Sequence, residues 1–163
     1  MGTRTRQPSR RWPIRFRWHR RMVRAGKRRY VNMITQEIKQ FAESAGHAFV
    51  ATSDARGNPH LAAGRDVTVP APNRLVFEDW FCPMTMQNLQ ENPKIAVAIV
   101  DPATGNGFQF VGRVEKTEET AVLDGFLPGT EPPGLPQVQW RLEIWVESVL
   151  SFTAEGHSDR PLG

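Results

Sequence analysis

Short connections between apolar segments are the feature that most limits the folds open to this chain of 163 residues. After Gly46, apolar segments alternate with breaks rich in proline, glycine and asparagine, and no long helix separates one strand-like segment from the next. Strands joined in this way pair antiparallel, and closing the sheet removes exposed edges. The pattern therefore favours a mainly β (α+β) fold, in which six antiparallel strands form a closed or half-closed barrel.

The predicted elements follow from periodicity and from breaks in it. Ile34, Ile38 and Phe41 recur at helical spacing and predict a leading helix that ends near Gly46. A short helix within residues 83–93 separates strands three and four, with Thr85 as its expected cap. A further helical piece at 119–126 and a loop at 127–136 are expected. The six predicted strands are residues 47–53, 59–69 (stopped by Pro70), 74–80, 94–101, 108–119 and 137–153, the last bent near Ser148.

Positive charge is concentrated at the amino terminus. Residues 1–32 hold 12 of the 21 Lys and Arg and no acidic residue, whereas residues 33–163 hold the other nine and all 17 Asp and Glu, a net charge of −8. We expect a basic, disordered extension followed by one domain over residues 33–163. An unselected extension, a tail that binds nucleic acid or anionic membrane, and a targeting peptide all stay open for residues 1–32. The acidic domain itself argues against nucleic-acid binding.

The cysteine count and the lengths of the apolar runs indicate the compartment. Cys82 has no second cysteine to pair with, and no apolar run approaches the roughly 18 residues of a membrane helix, so we expect a cytoplasmic protein outside the membrane. His47, His60 and His157 lack the spacing of a zinc site, and no metal is expected. Without a basic neighbour, Cys82 is expected to behave as a small apolar residue. Hydrolase, kinase and dinucleotide-binding motifs are missing from the sequence.

Three segments occur in an order that is specific only when they are taken together: FVATSDARGNPHLAAG, RLVFEDWFCPMTMQNLQENPKIAVAIVD and GFQFVGRVE. They combine a strand, an Asp-x-x-Gly-x-Pro turn, two strands, a short helix ending in Asn-Pro, an apolar strand and a strand ending in Gly-Arg. In this order the chain resembles the pyridoxamine 5'-phosphate oxidase-like family of FMN-binding split barrels, over about residues 34–152. The resemblance implies a homodimer with FMN at the subunit interface.

The resemblance also implies that the FMN phosphate lies near the short helix. The first turn of a helix presents unpaired N–H groups and the positive end of the helix dipole, which attract an anion. Thr85 would add its hydroxyl group, and Asn88 lies on the same face one turn later. The alternative is that Thr85 only caps the helix and that Asn88 is solvated.

One position departs from the family pattern. Members commonly have a lysine directly before this threonine, whereas this chain has Met84. Arg65, on the second predicted strand, is the expected replacement, because a guanidinium group can hold a phosphate through two parallel hydrogen bonds. An ion pair with Asp66 or Glu78 is the alternative for Arg65.

Two more residues complete the expected cofactor-binding set. Gln109 is expected to face the flavin ring, while Phe108 and Phe110 point to the opposite side of the strand. Trp140, with Arg141 beside it, would reach the partner subunit's flavin, and packing at the interface is the alternative for Trp140.

The resulting functional hypothesis is an FMN-binding oxidoreductase or flavin electron carrier with a small-molecule substrate or redox partner. In such a protein the flavin performs the chemistry, so no catalytic side chain is expected. The alternative is a non-catalytic module on the same fold that binds haem, a deazaflavin or another small ligand.

Overall fold

The computed structural model describes residues 34–123 and 137–162, except 155 and 157, and folds them into two helices and seven strands. In chain order the elements are α1 (Gln36–Ser44), β1 (Ala48–Ser53), β2 (Pro59–Gly64), β3 (Val67–Ala71), β4 (Arg74–Trp80), α2 (Pro83–Glu91), β5 (Lys94–Val100), β6 (Gly107–Leu123) and β7 (Gln137–Phe152). The predictions for residues 1–32, for the loop at 127–136 and for His157 lie outside the described residues.

All seven strands belong to one antiparallel sheet in the order β2-β1-β5-β6-β7-β4-β3. The sheet curls strongly, so that Gly64 at the end of β2 lies against the aromatic rings of Phe77 and Trp80 in β4. A Cβ atom on Gly64 would lie 2.5 Å from Trp80 Cζ3 and 2.9 Å from Phe77 Cε1. The mainly β, antiparallel split barrel that the sequence predicts is therefore confirmed, as a curled sheet that is not closed.

The predicted strand count is wrong by one. Residues 59–69 do not form one strand, because Asp66 adopts a positive φ of 57° and separates β2 from β3. Pro70 does not stop the strand but lies inside β3, an edge strand of the sheet, where a missing N–H group is tolerated. The short helix α2 therefore lies between the fourth and fifth strands, not between the third and fourth.

The prediction of a helical piece at residues 119–126 is also wrong for its described part. β6 continues through Leu123, and residues 119 and 121–123 pair with residues 137–140 of β7. Pairing along a long neighbouring strand outweighs the local helical preference expected for this segment. The expected bend near Ser148 coincides with a shift of register between β6 and β7, at Val111 and Gly112.

The leading helix forms for the local reasons that the sequence gives. Thr35 caps α1 by accepting a hydrogen bond from the Ile38 amide at 3.3 Å, and Gly46 follows the helix with a φ of 69°. Ile38 is buried against the sheet, and the Phe41 ring meets the Phe108 ring edge to face at 5.1 Å. α1 therefore covers the inner side of the curled sheet. Inside it lie Val50, Leu75, Phe77, Trp80, Val97, Ile99, Phe110, Leu142, Ile144 and Val146.

The outer side of the sheet has an apolar part and a charged part. Cross-strand partners share one side of a sheet, and one set of partners on β1, β2 and β5 forms an apolar face with Phe49 and Leu61 exposed by 48% and 66%. The apolar face consists of Phe49, Ala51, Leu61, Ala63, Ala96 and Ala98. On β4, β6 and β7, three arginines each pair with two glutamates in a charged face. The charged face consists of Arg74, Glu78, Arg113, Glu115, Arg141, Glu143 and Glu147.

Neither α1 nor α2 combines the length and the apolar character needed to cross a lipid bilayer, and these are the helices of the described residues.

The close approach of β2 to β4 gives a first prediction. Gly64→Ala places a methyl group within 2.5 Å of the Trp80 ring, and overpacking of this kind lowers the free energy of unfolding by about 1–3 kcal/mol. Chemical denaturation measures the change. Gly156→Ala is the matched control, because a Cβ atom there meets nothing within 4 Å. Equal stability of both variants would show that the sheet ends do not meet.

Candidate functional site

Helix α2 begins without a side-chain cap. Cys82 is the N-cap residue and makes no capping hydrogen bond, and Pro83 occupies the first helical turn. The prediction that Thr85 caps the helix is therefore wrong, because Pro83, with its fixed φ and missing N–H, starts the helix and makes Cys82 the N-cap residue. The first turn holds no acidic residue. Its positive end is thus neither capped nor neutralised by the chain itself.

Thr85 is fully buried, with 0% of its surface exposed, and its hydroxyl Oγ1 has no hydrogen-bond partner. A buried hydroxyl without a partner is unfavourable by about 1–3 kcal/mol. Among the buried side-chain atoms of the described residues, only Trp80 Nε1 shares this condition. Trp80 is the last residue of β4 and Thr85 lies in the first turn of α2, so both atoms lie within the six residues 80–85. Unsatisfied hydrogen-bonding capacity is thus concentrated where the cofactor phosphate was expected.

Asn88 lies one turn after Thr85 but makes a contact that neither sequence interpretation includes. It is 5% exposed, and its Nδ2 donates a hydrogen bond to the Thr52 hydroxyl of β1 at 3.0 Å. Asn88 is therefore not solvated, and its amide group is already engaged within the chain. Its role is to fix α2 on the β1–β2 hairpin.

Arg65 and the start of α2 border the same pocket of about 330 Å³. We call it the Arg65 pocket, and its lining residues are His47, Ala63, Gly64, Arg65, Asp79, Trp80, Phe81 and Cys82. The Arg65 side chain is 74% exposed, and its Nε lies 3.5 Å from Asp66 Oδ2. Of the two ion pairs considered for Arg65, the structure has the one with Asp66, while Glu78 pairs with Arg141 at 2.8 Å. An exposed pair of this kind is weak and can be exchanged for another anion.

Met84 occupies the first turn of α2 with 50% of its surface exposed, and Phe81 beside the turn is 39% exposed. Among the residues that line the Arg65 pocket, Arg65 is the one Arg or Lys, and Asp79 is the one carboxylate. Gln139 Nε2 donates a hydrogen bond to Asp79 Oδ1. The pocket therefore offers one cation and several donors, with apolar side chains at its rim.

The premise that Cys82 has no basic neighbour is wrong. His60 Nε2 lies 3.3 Å from Cys82 Sγ, although 22 positions separate them in the chain. The alternation of β2 turns His60, Ala62 and Gly64 to the less exposed side of the strand, towards α2. This alternation can be read from the sequence and indicates that His60 faces α2. The sequence does not show which residue of the neighbouring segment His60 meets.

Gln109 lies on β6 beside the apolar face, since its cross-strand partner on β5 is Ala98. Phe110 is buried in the core and Phe108 packs on Phe41, so both phenylalanines point away from Gln109. The predicted alternation is therefore present. In the single chain Gln109 lies apart from the Arg65 pocket, whose lining does not include it.

Trp140 lies on the other side of α2. It lines a separate pocket of about 200 Å³ together with Met86 and Leu89 of α2 and Lys116 of β6. Hydrogen bonding to Glu118 raises the pKa of Lys116, so this cation stays charged but is already paired. Arg141 behaves in the same way, because hydrogen bonding to Glu143, with Glu78 nearby, raises its pKa. In the single chain Trp140 thus packs beside α2, apart from Arg65, and its contact with the partner subunit's flavin stays a prediction.

The described residues hold no group of three or more His, Cys, Asp or Glu side chains that could bind a metal ion. The predicted set is thus brought together only in part. Arg65 shares a pocket with Cys82, the N-cap residue of α2, and Met84 and Thr85 follow in the first turn of this helix, whereas Asn88 is engaged with Thr52.

Comparison with known proteins places this geometry in context. A family model described as pyridoxamine 5'-phosphate oxidase matches residues 34–141. No curated protein gives a significant match.

Three solved structures share the fold. HupZ of Group A Streptococcus is 24% identical, with a TM-score of 0.55, over 78% of this chain and 99% of that one. A Clostridium acetobutylicum protein related to general stress protein 26, of the pyridoxinephosphate oxidase family, is 17% identical, with a TM-score of 0.54, over 77% and 91%. A Lactobacillus delbrueckii protein described as a candidate pyridoxamine 5'-phosphate oxidase is 20% identical, with a TM-score of 0.53, over 74% and 95%.

The buried contact between α2 and β1 gives a second prediction. Asn88→Ala and Thr52→Val should each lower the free energy of unfolding by about 1–3 kcal/mol, because each leaves a buried polar partner unpaired. The double variant should lose less than the sum, with a coupling energy of about 1 kcal/mol. Urea denaturation of the four proteins measures the cycle. Asn106→Ala, in an exposed loop, is the control, and strict additivity at Asn88 and Thr52 would contradict the contact.

Proposed function

Because the chain belongs to the pyridoxamine 5'-phosphate oxidase family, we propose that it binds FMN and acts as an FMN-dependent oxidoreductase or flavin electron carrier. The observation that carries the proposal is the unpartnered Thr85 hydroxyl in the first turn of an uncapped helix. Cys82, the N-cap residue directly before this turn, lines the Arg65 pocket. An anion with several acceptor oxygens is the type of group that satisfies such donors.

The residues present fit a flavin phosphate if two local changes occur. Arg65 must exchange Asp66 for the phosphate, which an exposed pair at 3.5 Å permits. The first turn of α2 must also open, because Thr85 has no exposed surface in the single chain. Met84 and Phe81, the exposed apolar side chains at this turn, are the groups that can move aside. Met84 supplies no charge, so Arg65 carries the electrostatic part of binding.

In this proposal Arg65 and Thr85 hold the phosphate, and the apolar walls of the pocket exclude water from the ring. Bound flavin supplies hydride or electron transfer, and the protein supplies position and environment. Gln109 is proposed to hydrogen-bond the flavin ring from the outer side of β6.

We also propose that the protein is a homodimer formed through the apolar face. Phe49 and Leu61 are its large exposed side chains, and an exposed apolar surface without a partner is unfavourable in water. The neighbouring charged face is already paired within the chain. Ala63 belongs to the apolar face and also lines the Arg65 pocket, and Gln109 adjoins the apolar face on β6. Association through this face brings Gln109 of one protomer and the Arg65 pocket of its partner to a common interface.

A second candidate ligand on the same fold is haem. His47 and Cys82 line the Arg65 pocket, and both residue types serve as axial ligands of haem iron. The absorption spectrum of the purified protein separates the two ligands, because flavin bands and a Soret band differ in position and shape.

Thr85→Val gives a third prediction, with effects of opposite sign on stability and on binding. The unliganded variant should be as stable as the native protein, or more stable by about 1–2 kcal/mol, because the unpaired hydroxyl is removed. Its FMN affinity should fall about tenfold to a hundredfold, as for the loss of a hydrogen bond to a charged group. Thermal unfolding and flavin fluorescence titration measure the two effects.

Arg65→Ala should weaken FMN binding by a similar factor and leave riboflavin binding unchanged, because only the phosphate is affected. Thr68→Val, at an exposed position of β3, is the control for Thr85→Val and should change neither quantity. Unaltered FMN affinity in both site variants would remove the proposed phosphate site.

The apolar face gives a fourth prediction. Phe49→Glu or Leu61→Glu should convert the dimer to monomers, because burying a carboxylate in an apolar interface is strongly unfavourable. Sedimentation velocity measures the mass in solution. Thr104→Glu, in an exposed loop outside the apolar face, should leave the dimer intact. A monomeric native protein, or dimers that survive both substitutions, would contradict the proposed interface.

A further inference from the structure

Cys82 is the one cysteine of the chain, and it lies between an imidazole and the start of a helix. Its Sγ lies 3.3 Å from His60 Nε2, within the range of a hydrogen bond to sulfur. With Nε2 unprotonated, the imidazole accepts the thiol proton, and a thiol reacts as its thiolate. Cys82 also stands at the N-cap of α2, where the helix dipole favours negative charge on the sulfur.

The thiol is accessible from a pocket whose lining includes a cation and an unpaired hydrogen-bond donor. Cys82 is partly exposed and lines the Arg65 pocket together with Trp80. Trp80 is 1% exposed, and its indole Nε1 has no hydrogen-bond partner. Two residues before Cys82 and three residues after it, a buried donor is therefore unsatisfied. The Arg65 guanidinium at the rim provides positive charge.

We propose that Cys82 is a modification site at which a peroxide oxidises the thiol to a sulfenic acid, with His60 as its proton acceptor. The sulfur attacks one peroxide oxygen while His60 takes the thiol proton, so that an S–O bond forms and the O–O bond breaks. The leaving hydroxide receives the proton from His60 and departs as water. The sulfur loses two electrons and hydrogen peroxide gains them, which balances the reaction.

The site also regulates ligand binding, a part of the inference that rests on the proposed function. A ligand in the Arg65 pocket covers Cys82, because Cys82 is one of the residues that line this pocket. Flavin should therefore protect the thiol, and the sulfenic oxygen should in turn obstruct the start of α2. Oxidation and flavin binding are then mutually exclusive.

The full chain treated with hydrogen peroxide tests the inference. Intact-mass spectrometry follows the addition of one oxygen atom, and a dimedone label confirms sulfenic acid at Cys82. The second-order rate should exceed that of N-acetylcysteine at the same pH by about tenfold or more. His60→Ala should slow it by about tenfold or more. Asn106→Ala, in the exposed loop between β5 and β6, is the control and should change the rate by less than about twofold.

The outcomes separate the two proposals. A native rate no greater than that of N-acetylcysteine overturns the modification site, and this comparison does not depend on the folding of any variant. If oxidation is fast and depends on His60, but saturating FMN does not slow it, the modification site stands. The same result would contradict the proposal that flavin binds in this pocket. Fast oxidation that FMN slows by about tenfold, the expected result, supports both.

Discussion

The contact between α2 and the β1–β2 hairpin decides the geometry of the candidate site. Thr52 and His60 are cross-strand partners on the hairpin, and each meets a polar side chain of the segment from Cys82 to Asn88. Asn88 donates to Thr52 at 3.0 Å, and His60 lies 3.3 Å from Cys82. Because polar contacts of this kind are directional, they set the rotation of the helix about its axis as well as its position.

That rotation has a consequence for binding. It buries Thr85, which lies between the two contacts on the same helix face, and leaves its hydroxyl without a partner. It also brings the uncapped first turn to the rim of the Arg65 pocket. A protein gives up stability when it holds buried donors unsatisfied, and such sites are common where a ligand completes the structure. Stability and binding are therefore opposed at this turn.

The division of the outer surface follows from the same curled sheet. Arginine and glutamate on β4, β6 and β7 satisfy each other, and Arg74 and Arg113 both lie over the Trp145 ring. Charges paired within the chain need no partner. The side chains of the apolar face on β1, β2 and β5 point away from the core, so contacts within the chain do not cover them. Association and the cofactor pocket are thus expected on the same half of the molecule.

By itself the sequence determined the local structure: the leading helix, the hairpin turn, the strand from Arg74 and the apolar strand from Lys94 all lie where periodicity and breaks place them. It also carried the order of motifs that marks the family. It misjudged the division of residues 59–69, because alternation continues across Asp66 and only a positive φ separates β2 from β3. Only the tertiary structure decided that His60 meets Cys82 and that Trp140 packs beside α2, away from Arg65. The physical reason is that a repeat of apolar residues states which side of an element is buried, whereas the partner across the gap depends on how distant strands curl together.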